Sequence, residues 1–292
     1  MKASASSGAI SPKAIEAGIA AAYEAVSFPF TILSPSPGIA SIVDFIYGEM
    51  RTHAASPGSF PIEIRLAHAN PGKLELFLGG EKRTESERLA DILHQLDNEL
   101  TVQIEHAVPR LYFVHAASLA EGNRATLLVG ESGAGKSTPS YALAASGMDY
   151  LSDELSPIDP RSAMVHPYPR AICLKQDPPA PLSLPSRHLR TEWTIHVRAR
   201  DLGAKVLAAA VPLARVVFIR YSATQTAAEL RPISKGEAAV RLYKGALNQL
   251  AHANFGLDDT LSLIRCAECF ELLAAGVEAT VQALRLPGAG LK

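Results

Sequence analysis

The sequence predicts an α/β fold in which a mixed sheet forms the larger part and a smaller α+β unit lies at the N-terminus. Three observations predict it. From residue 111 onward, short apolar runs typical of strands alternate with helical patterns. A glycine-rich loop lies between one such run and a helical pattern. The chain has 292 residues, 48% of them hydrophobic, which is enough to bury one large domain or a compact pair.

The N-terminal unit is predicted at residues 1–108. Residues 1–25 are predicted to form an Ala-rich helix after a disordered start, and Glu85 to about Val108 a long helix. The apolar positions of the long helix recur at three- and four-residue steps: Leu89, Ile92, Leu93, Leu96, Leu100 and Val102. Strands separated by turns rich in Pro, Gly and Ser are predicted at Phe28–Leu33, Phe60–Ala67 and Lys73–Leu78.

The second domain is predicted at residues 109–292. Its early elements are strands at Leu111–Leu119 and Ala125–Val129, a helix at Lys136–Ser146 ended by Gly147, a strand at Met148–Leu151 and an extended segment at Val165–Leu174. The four prolines of Asp177–Ser186 exclude regular structure there. Later elements are a strand at Val216–Tyr221, a helix at Ser234–Leu250, and then a helix, a strand and a last helix near Val277–Leu284.

Composition narrows the classes of function. The 28 basic and 29 acidic side chains give a net charge of −1, which provides no overall attraction to nucleic acid or to an anionic membrane. No apolar run approaches ~18 residues, and the N-terminus lacks the apolar stretch of a signal peptide, so a cytoplasmic location is expected. Three cysteines are too few for a disulfide framework. Cys266 and Cys269 have the spacing of a redox pair or of half a zinc site, but no second such pair exists, and ordinary buried cysteines are expected.

One motif carries chemistry. Gly130–Ser137 satisfies G-x-x-x-x-G-K-[ST], the phosphate-binding loop of nucleotide-binding proteins. Such a loop needs small residues so that several backbone N–H groups can meet the phosphate oxygens, and the helix that follows adds positive potential. Lys136 would supply a charge to the β- and γ-phosphates, and the Ser137 hydroxyl would ligate Mg²⁺. The residues predicted to bind the nucleotide are Gly130, Glu131, Ser132, Gly133, Ala134, Gly135, Lys136, Ser137 and Thr138.

An acidic pair, Asp153-Glu154, is predicted to lie beside this loop. A helix of about ten residues leads ~15 Å away from the phosphates, and a strand of five or six residues returns over ~17–20 Å. Neighbouring residues point to different sides, which suits a proton acceptor or water-positioning group and a magnesium ligand. A solvated acidic turn before Pro157 is the alternative.

These residues, together with His115 on the strand before the loop, resemble the catalytic core of the bacterial HPr kinase/phosphorylase family over Leu111–Lys175. The segment Val165–Lys175 and the Val216–Tyr221 strand resemble still more the HPr-kinase-related proteins encoded beside peptide-modification genes, such as the tailoring kinases of lasso-peptide clusters. The resemblance implies a P-loop-containing mixed sheet of the HPr kinase type. It also implies a homo-oligomer, by analogy alone.

The resemblance also implies roles for single residues. Asp153 would take the proton from an acceptor serine, His115 would lie against the transferred phosphate, and Glu154 with Ser137 would hold Mg²⁺. Thr138 stands where the bifunctional enzymes carry an acid, which favours kinase over phosphorylase chemistry.

Other charged residues leave alternatives open. Arg170 and Lys175 are substrate-binding candidates that face the active site, or else surface charges. A basic stretch is either a solvated hairpin or a groove for an acidic peptide or for phosphates: Arg187, His188, Arg190, His196, Arg198 and Arg200. Asp258-Asp259 is expected to cap a helix rather than bind a metal.

The predicted function is an ATP-dependent kinase that uses Mg²⁺ and phosphorylates a serine hydroxyl of a peptide or protein, with a lasso-type precursor peptide among the candidate acceptors. Four alternatives remain: a nucleotide-binding regulator or ATPase, a kinase that acts on HPr itself, a small-molecule kinase, and a peptide-binding module in which the nucleotide serves stability. ATP and GTP remain alternatives, because the loop contacts phosphates and not bases. Neither a nucleic-acid nor a membrane partner is expected.

Overall fold

A computed structural model describes residues 18–130, 136–221 and 227–285. Within these ranges the chain is mixed α/β, with sheets of five, nine and three strands. The predicted α/β class is therefore confirmed. No helix of the described ranges is both long and apolar enough to cross a membrane.

The five-stranded sheet and two helices form the N-terminal part of the chain. Its elements are β1 (Ile19–Ala25), β2 (Phe28–Ser34), α1 (Pro37–Tyr47), β3 (Phe60–Leu66), β4 (Leu74–Leu78), β5 (Glu81–Ser86) and α2 (Leu89–Ala107). The strands lie in the order β1-β2-β3-β4-β5, and only the β2–β3 pair among them is parallel. The three strands predicted here and the long helix are confirmed.

Three predictions for this part are wrong or incomplete. Ile19–Ala25 is a strand and not a helix, because it pairs with β2 over its whole length and buries Tyr23 against Phe30. The remainder of that predicted helix, residues 1–17, lies outside the described residues. Helix α1 was not predicted; Pro37 occupies its first turn and the Ser36 hydroxyl accepts from the N–H of Ile39 at 3.3 Å. Val102 is 42% exposed, because the buried stripe of α2 continues at Ile104 instead.

The nine-stranded sheet forms the centre of the second part. Its strands are β6 (Tyr112–Val114), β7 (Ala116–Glu121), β8 (Arg124–Val129), β9 (Asp149–Ser152), β10 (Ser156–Asp159), β11 (Met164–Val165), β15 (Val211–Tyr221), β16 (Glu229–Pro232) and β17 (Glu268–Ala274). A small sheet contains β12 (Ile172–Leu174), β13 (Leu189–Arg190) and β14 (Ile195–Val197). The helices are α3 (Ser137–Ala145), α4 (Lys235–Lys244), α5 (Leu257–Cys266) and α6 (Val277–Arg285).

Helices cover both faces of the large sheet. Strands β8, β15 and β17 are parallel neighbours, and alternate residues of each strand point to opposite faces. Leu127 and Phe218 pack in a core with α4 and α5, whereas Leu128 and Val217 pack in a core with α3 and α6. The carboxyl ends of the three parallel strands meet at one edge, where ligands bind in open α/β sheets.

Several boundaries in the second part differ from the predictions. The predicted strand Leu111–Leu119 divides into β6 and β7 at His115, and Val165–Leu174 contains only the short strands β11 and β12. The predicted helix Ser234–Leu250 ends at Lys244, since the chain leaves the helix there to pair with β6. Cys269 is buried as expected, but Cys266 is exposed because it lies at the outer side of the last turn of α5.

The N-terminal part and the large sheet share one core. Phe113, Leu155 and Tyr168 belong to the same buried cluster as the apolar residues of α1, α2 and the five-stranded sheet. The N–H of Ala171 donates to the carbonyl of Ile46 at 2.8 Å, so α1 is joined to the chain beside the acid pair.

Candidate functional site

The glycine-rich loop joins the end of β8 to the start of α3. Gly130 follows the last residue of β8, and Lys136 occupies the N-cap position of α3. The strand before the loop and the helix after it thus lie where the sequence placed them. The middle of the loop lies outside the described residues: Glu131, Ser132, Gly133, Ala134 and Gly135. Ser137 and Thr138 are half-buried in the first turn of α3.

Lys136 is held across the base of the loop. Its Nζ donates to the carbonyl of Gly130 at 2.7 Å and lies 3.0 Å from Nε2 of His115. The side chain is 7% exposed, and this burial lowers its pKa while Asp153 and Glu154 act in the opposite direction. An ammonium can only donate, so the Nε2 atom that faces it accepts and His115 is neutral.

His115 lies beside the loop because of the strand register. It precedes β7, and Ala116 at the start of β7 pairs with Val129 at the end of β8. Its own N–H donates to the carbonyl of Gly245 at 2.8 Å. Burial, and then the charge of Lys136, lower the pKa of His115, which keeps the ring neutral near pH 7.

The acid pair lies in the turn between β9 and β10. Strand β9 pairs with β7, so its end returns to the edge of the sheet that carries the loop. The Ser152 hydroxyl donates to the carbonyl of Leu155 at 2.6 Å and closes the turn. Asp153 is 1% exposed, whereas the side chain of Glu154 is 46% exposed. The two acids therefore occupy different environments, as the sequence predicted.

Asp153 is a buried carboxyl group with an incomplete set of partners. Its Oδ2 accepts from the N–H of Cys173 at 3.1 Å, and no described residue gives Oδ1 a hydrogen bond of normal geometry. Burial, and then the charge of Glu154, raise its pKa to about 6, although the nearby Ser140 hydroxyl acts in the opposite direction. Asp153 is thus ionised at pH 7 and more basic than an ordinary aspartate.

Glu154 is paired with Arg170. Arg170 Nη1 donates to Glu154 Oε2 at 2.8 Å, and this cation lowers the pKa of Glu154. Arg170 is 4% exposed and also lies 3.0 Å from Asp97 Oδ2. The alternative that Arg170 is a surface charge is therefore wrong. Lys175 is exposed, and it lies near enough to Lys136 to lower the pKa of that ammonium.

Ser137 and Glu154 each supply an oxygen donor of the kind that Mg²⁺ accepts from proteins, a hydroxyl and a carboxylate. Mg²⁺ keeps several waters and takes one or two protein oxygens together with phosphate oxygens. Glu154 Oε2 is taken by Arg170, and no described residue donates to its Oε1. Within the described residues no three His, Cys, Asp or Glu side chains cluster as an all-protein metal cage.

A crevice of about 670 Å³ opens at the carboxyl ends of β8 and β15. Its lining includes His115, Gly130, Arg220, Tyr221, Lys244 and Leu247. Arg220 and Lys244 are exposed and have no ion-pair partner among the described residues, whereas Arg241, also in the lining, pairs with Glu271 at 3.0 Å. The crevice therefore adjoins the loop and carries positive charge.

The basic stretch does not form one groove. Strands β13 and β14 make the expected hairpin, but His196 is 3% exposed and so is part of the core. Arg198 pairs with Asp201 at 2.7 Å and Arg200 with Glu49 at 2.7 Å. The prediction that Asp258-Asp259 caps a helix is wrong, because Gly256 occupies the N-cap position of α5 and no side chain caps it. Both acids lie in the first turn, where Asp259 contacts Nδ1 of His252 at 2.7 Å.

Sequence reasoning missed Asp97 and the crevice cations. Asp97 precedes Arg170 by more than 70 positions in the chain, so no local spacing connects the two residues. Arg220 lies at the carboxyl end of β15, an apolar strand that pairs with β8, and that position was the one available signal.

Comparisons with known proteins add no family. No protein-family model matches the chain, and no curated protein matches it at a significant level.

Proposed function

We propose that this protein is an ATP-dependent kinase of the HPr-kinase-like type that phosphorylates a serine hydroxyl of a peptide or protein. The observation that carries the proposal is the convergence of Lys136, His115 and the acid pair at one sheet edge, although 38 positions separate His115 from Asp153 in the chain. The resemblance described above supports a P-loop fold of that family. It also favours a ribosomally made precursor peptide, of the lasso type, as the acceptor.

Lys136 and α3 would bind the nucleotide. The phosphates would lie along residues 130–137, where backbone N–H groups and the helix N-terminus favour negative charge. Lys136 already contacts the loop carbonyl of Gly130 and would exchange that partner for phosphate oxygens. Its buried ammonium makes a stronger interaction with phosphate than an exposed one would.

Asp153 would be the proton acceptor. The serine oxygen attacks the γ-phosphorus, the bond to the oxygen between the β- and γ-phosphates breaks, and the serine proton moves to Oδ1 of Asp153. A pKa of about 6 suits this task, because the group is ionised at pH 7 yet still basic. Neutral His115 beside Lys136 would contact the transferred phosphoryl group as a polar neighbour.

Glu154 and Ser137 would hold Mg²⁺, which when bound neutralises charge on the β- and γ-phosphates. Arg170 fixes Oε2 of Glu154 and so leaves Oε1 for that role.

The acceptor would enter through the crevice. Its positive residues Arg220 and Lys244 suit a serine flanked by acidic residues, and exposed Leu247 offers an apolar contact beside them. An acidic peptide is therefore the favoured acceptor class.

A nucleotide hydrolase is the second candidate. Asp153 is 1% exposed, and a water molecule reaches so buried a carboxylate more easily than a peptide serine does. In that case Asp153 would orient the attacking water.

One experiment separates the two candidates. The protein is incubated with Mg²⁺ and γ-labelled ATP, together with acidic serine peptides, basic serine peptides, HPr or no acceptor, and the products are analysed by mass spectrometry. We expect one phosphate on the serine of an acidic peptide, lost in Asp153→Asn and Lys136→Ala. Free phosphate in every reaction, with no labelled acceptor, supports the hydrolase. Undiminished transfer by Asp153→Asn refutes the role of that carboxylate.

A further inference from the structure

A buried chain of polar contacts connects the N-terminal part to the acid pair. The Tyr47 hydroxyl donates to Asp97 Oδ1, Asp97 Oδ2 lies 3.0 Å from Arg170 Nη2, and Arg170 Nη1 lies 2.8 Å from Glu154 Oε2. Tyr47 is fully buried, Arg170 is 4% exposed, and the side chain of Asp97 is 18% exposed. Solvent screening of these charges is therefore weak.

The two ends of this chain belong to different parts of the fold. Tyr47 is the last residue of α1 and Asp97 lies in the middle of α2. Arg170 precedes β12, and Glu154 follows β9. The contacts therefore cross from the five-stranded unit to the candidate site.

Arg170 is positioned by its backbone as well. Its carbonyl accepts from the Tyr150 hydroxyl at 2.9 Å, and the next residue donates its N–H to Ile46 at 2.8 Å. The guanidinium remains charged at every accessible pH, so its burial requires compensation by carboxylates. Glu154 alone is half-exposed, and Asp97 supplies the second, more deeply placed negative charge.

The guanidinium is planar and rigid, so its Nη1 and Nη2 atoms move together. The charge of Asp97 attracts the Nη2 side of this plane while Nη1 donates to Glu154 Oε2, so Asp97 helps to keep Arg170 where it can contact Glu154. The contact between Arg170 Nη2 and Asp97 Oδ2 is an ion pair rather than a hydrogen bond, so the attraction of opposite charges dominates it. The hydroxyl of Tyr47 keeps the Asp97 carboxylate in its rotamer.

We propose that Asp97, oriented by Tyr47, is a positioning residue for the magnesium–nucleotide complex, and that the N-terminal unit therefore forms part of the active site. This inference rests on the proposed function. Asp97 acts through Arg170 on Glu154 and touches neither nucleotide nor metal. Residues of this kind behind a metal ligand typically contribute 10–100-fold in metal affinity.

The test measures ATP binding by calorimetry with Mg²⁺ and with EDTA, so that it does not depend on turnover. We expect Mg²⁺ to tighten ATP binding to the unmodified protein. In Asp97→Asn this gain should fall about tenfold, while the affinity in EDTA stays the same. Tyr47→Phe keeps the buried ring and should show a smaller loss of the same kind. Asp91→Asn is the matched control on the same helix, because Asp91 pairs with Arg88 and not with Arg170.

The outcomes are separable. A full Mg²⁺ gain in both Asp97→Asn and Tyr47→Phe, with the gain lost in Glu154→Gln, overturns the inference and leaves the proposed function standing. Equal weakening with Mg²⁺ and with EDTA, together with a lowered urea midpoint, would show that Asp97 is merely structural and also overturns it. Absence of ATP binding by the unmodified protein overturns the proposed function and the inference with it.

Discussion

Replacement of Asp153 by Asn should stabilise the protein at neutral pH and should abolish the proposed phosphotransfer. The carboxyl group has a pKa of about 6 in the folded protein against an ordinary value of 3.8. A difference of about two pKa units corresponds to about 3 kcal/mol at 1.36 kcal/mol per unit. Burial of the ionised Asp153 therefore destabilises the folded protein by a free energy of about this size. Asn has nearly the same shape and never ionises, and it can still accept from the N–H of Cys173.

The sign of the effect depends on pH in a defined way. Below about pH 4 the carboxyl group is protonated in both folded and unfolded chains and has no effect on their balance. Between about pH 4 and pH 6 the unfolded chain loses this proton while the folded chain retains it, so stability falls as pH rises. Above pH 6 the full penalty applies. The free energy of unfolding of Asp153→Asn should then exceed that of the unmodified protein by up to about 3 kcal/mol.

Urea unfolding of both proteins between pH 4 and pH 8 measures this difference. Asp159→Asn is a suitable control because its pKa is shifted the other way: burial raises it, but hydrogen bonds from Arg161 and Ser162 lower it overall. This variant should gain nothing at pH 8. A stability difference between Asp153→Asn and the unmodified protein that is constant from pH 4 to pH 8 would refute the reasoning. If Asp153 is the proton acceptor, the rate of transfer should also rise with pH through about 6 and then level off.

Three further changes test the remaining contacts. Lys136→Met should abolish ATP binding. It should also raise the pKa of the His115 ring, measured by NMR, because a nearby cation is removed. An unchanged His115 titration would contradict this contact. Arg170→Met leaves two carboxylates without their buried cation and should lower the free energy of unfolding by roughly 3–5 kcal/mol, measured by urea unfolding. The control, Arg231→Met, removes an exposed ion pair and should leave the urea midpoint unchanged. Lys244→Glu should lower kcat/KM for an acidic peptide about tenfold and raise kcat/KM for a basic one. Equal effects on both peptides would show that the acceptor binds elsewhere.

Local sequence patterns determined the elements around the loop. An apolar run, a glycine-rich loop and a helical pattern that follow each other directly predict a strand, a loop and a helix, because each depends on neighbouring residues. Gly147, whose φ is +92°, ends α3 as expected, since only glycine adopts that conformation without strain. The return of Asp153 and Glu154 to the loop followed from the lengths of α3 and β9 alone.

Local preference failed where pairing with distant residues decided the outcome. Ile19–Ala25 contains four alanines, which favour helix, yet it is a strand because β2 offers a complete set of hydrogen-bond partners. The apolar periodicity of α2 was evident in the sequence, but it did not define exactly which residues face the core. Val102 was therefore included in the buried face, although it is exposed.

For the candidate site, the sequence by itself predicted which residues would carry chemistry: the loop lysine, the histidine before it and the acid pair after it. Their types and spacing are local properties of the chain. The tertiary structure alone decided the environment of each group, because burial and charge depend on residues far away in sequence. Asp153 has a raised pKa because it is buried, and Glu154 has a lowered one because Arg170 reaches it. Asp97 contacts Arg170 across more than 70 positions of the chain, and no pattern of neighbouring residues encodes this contact.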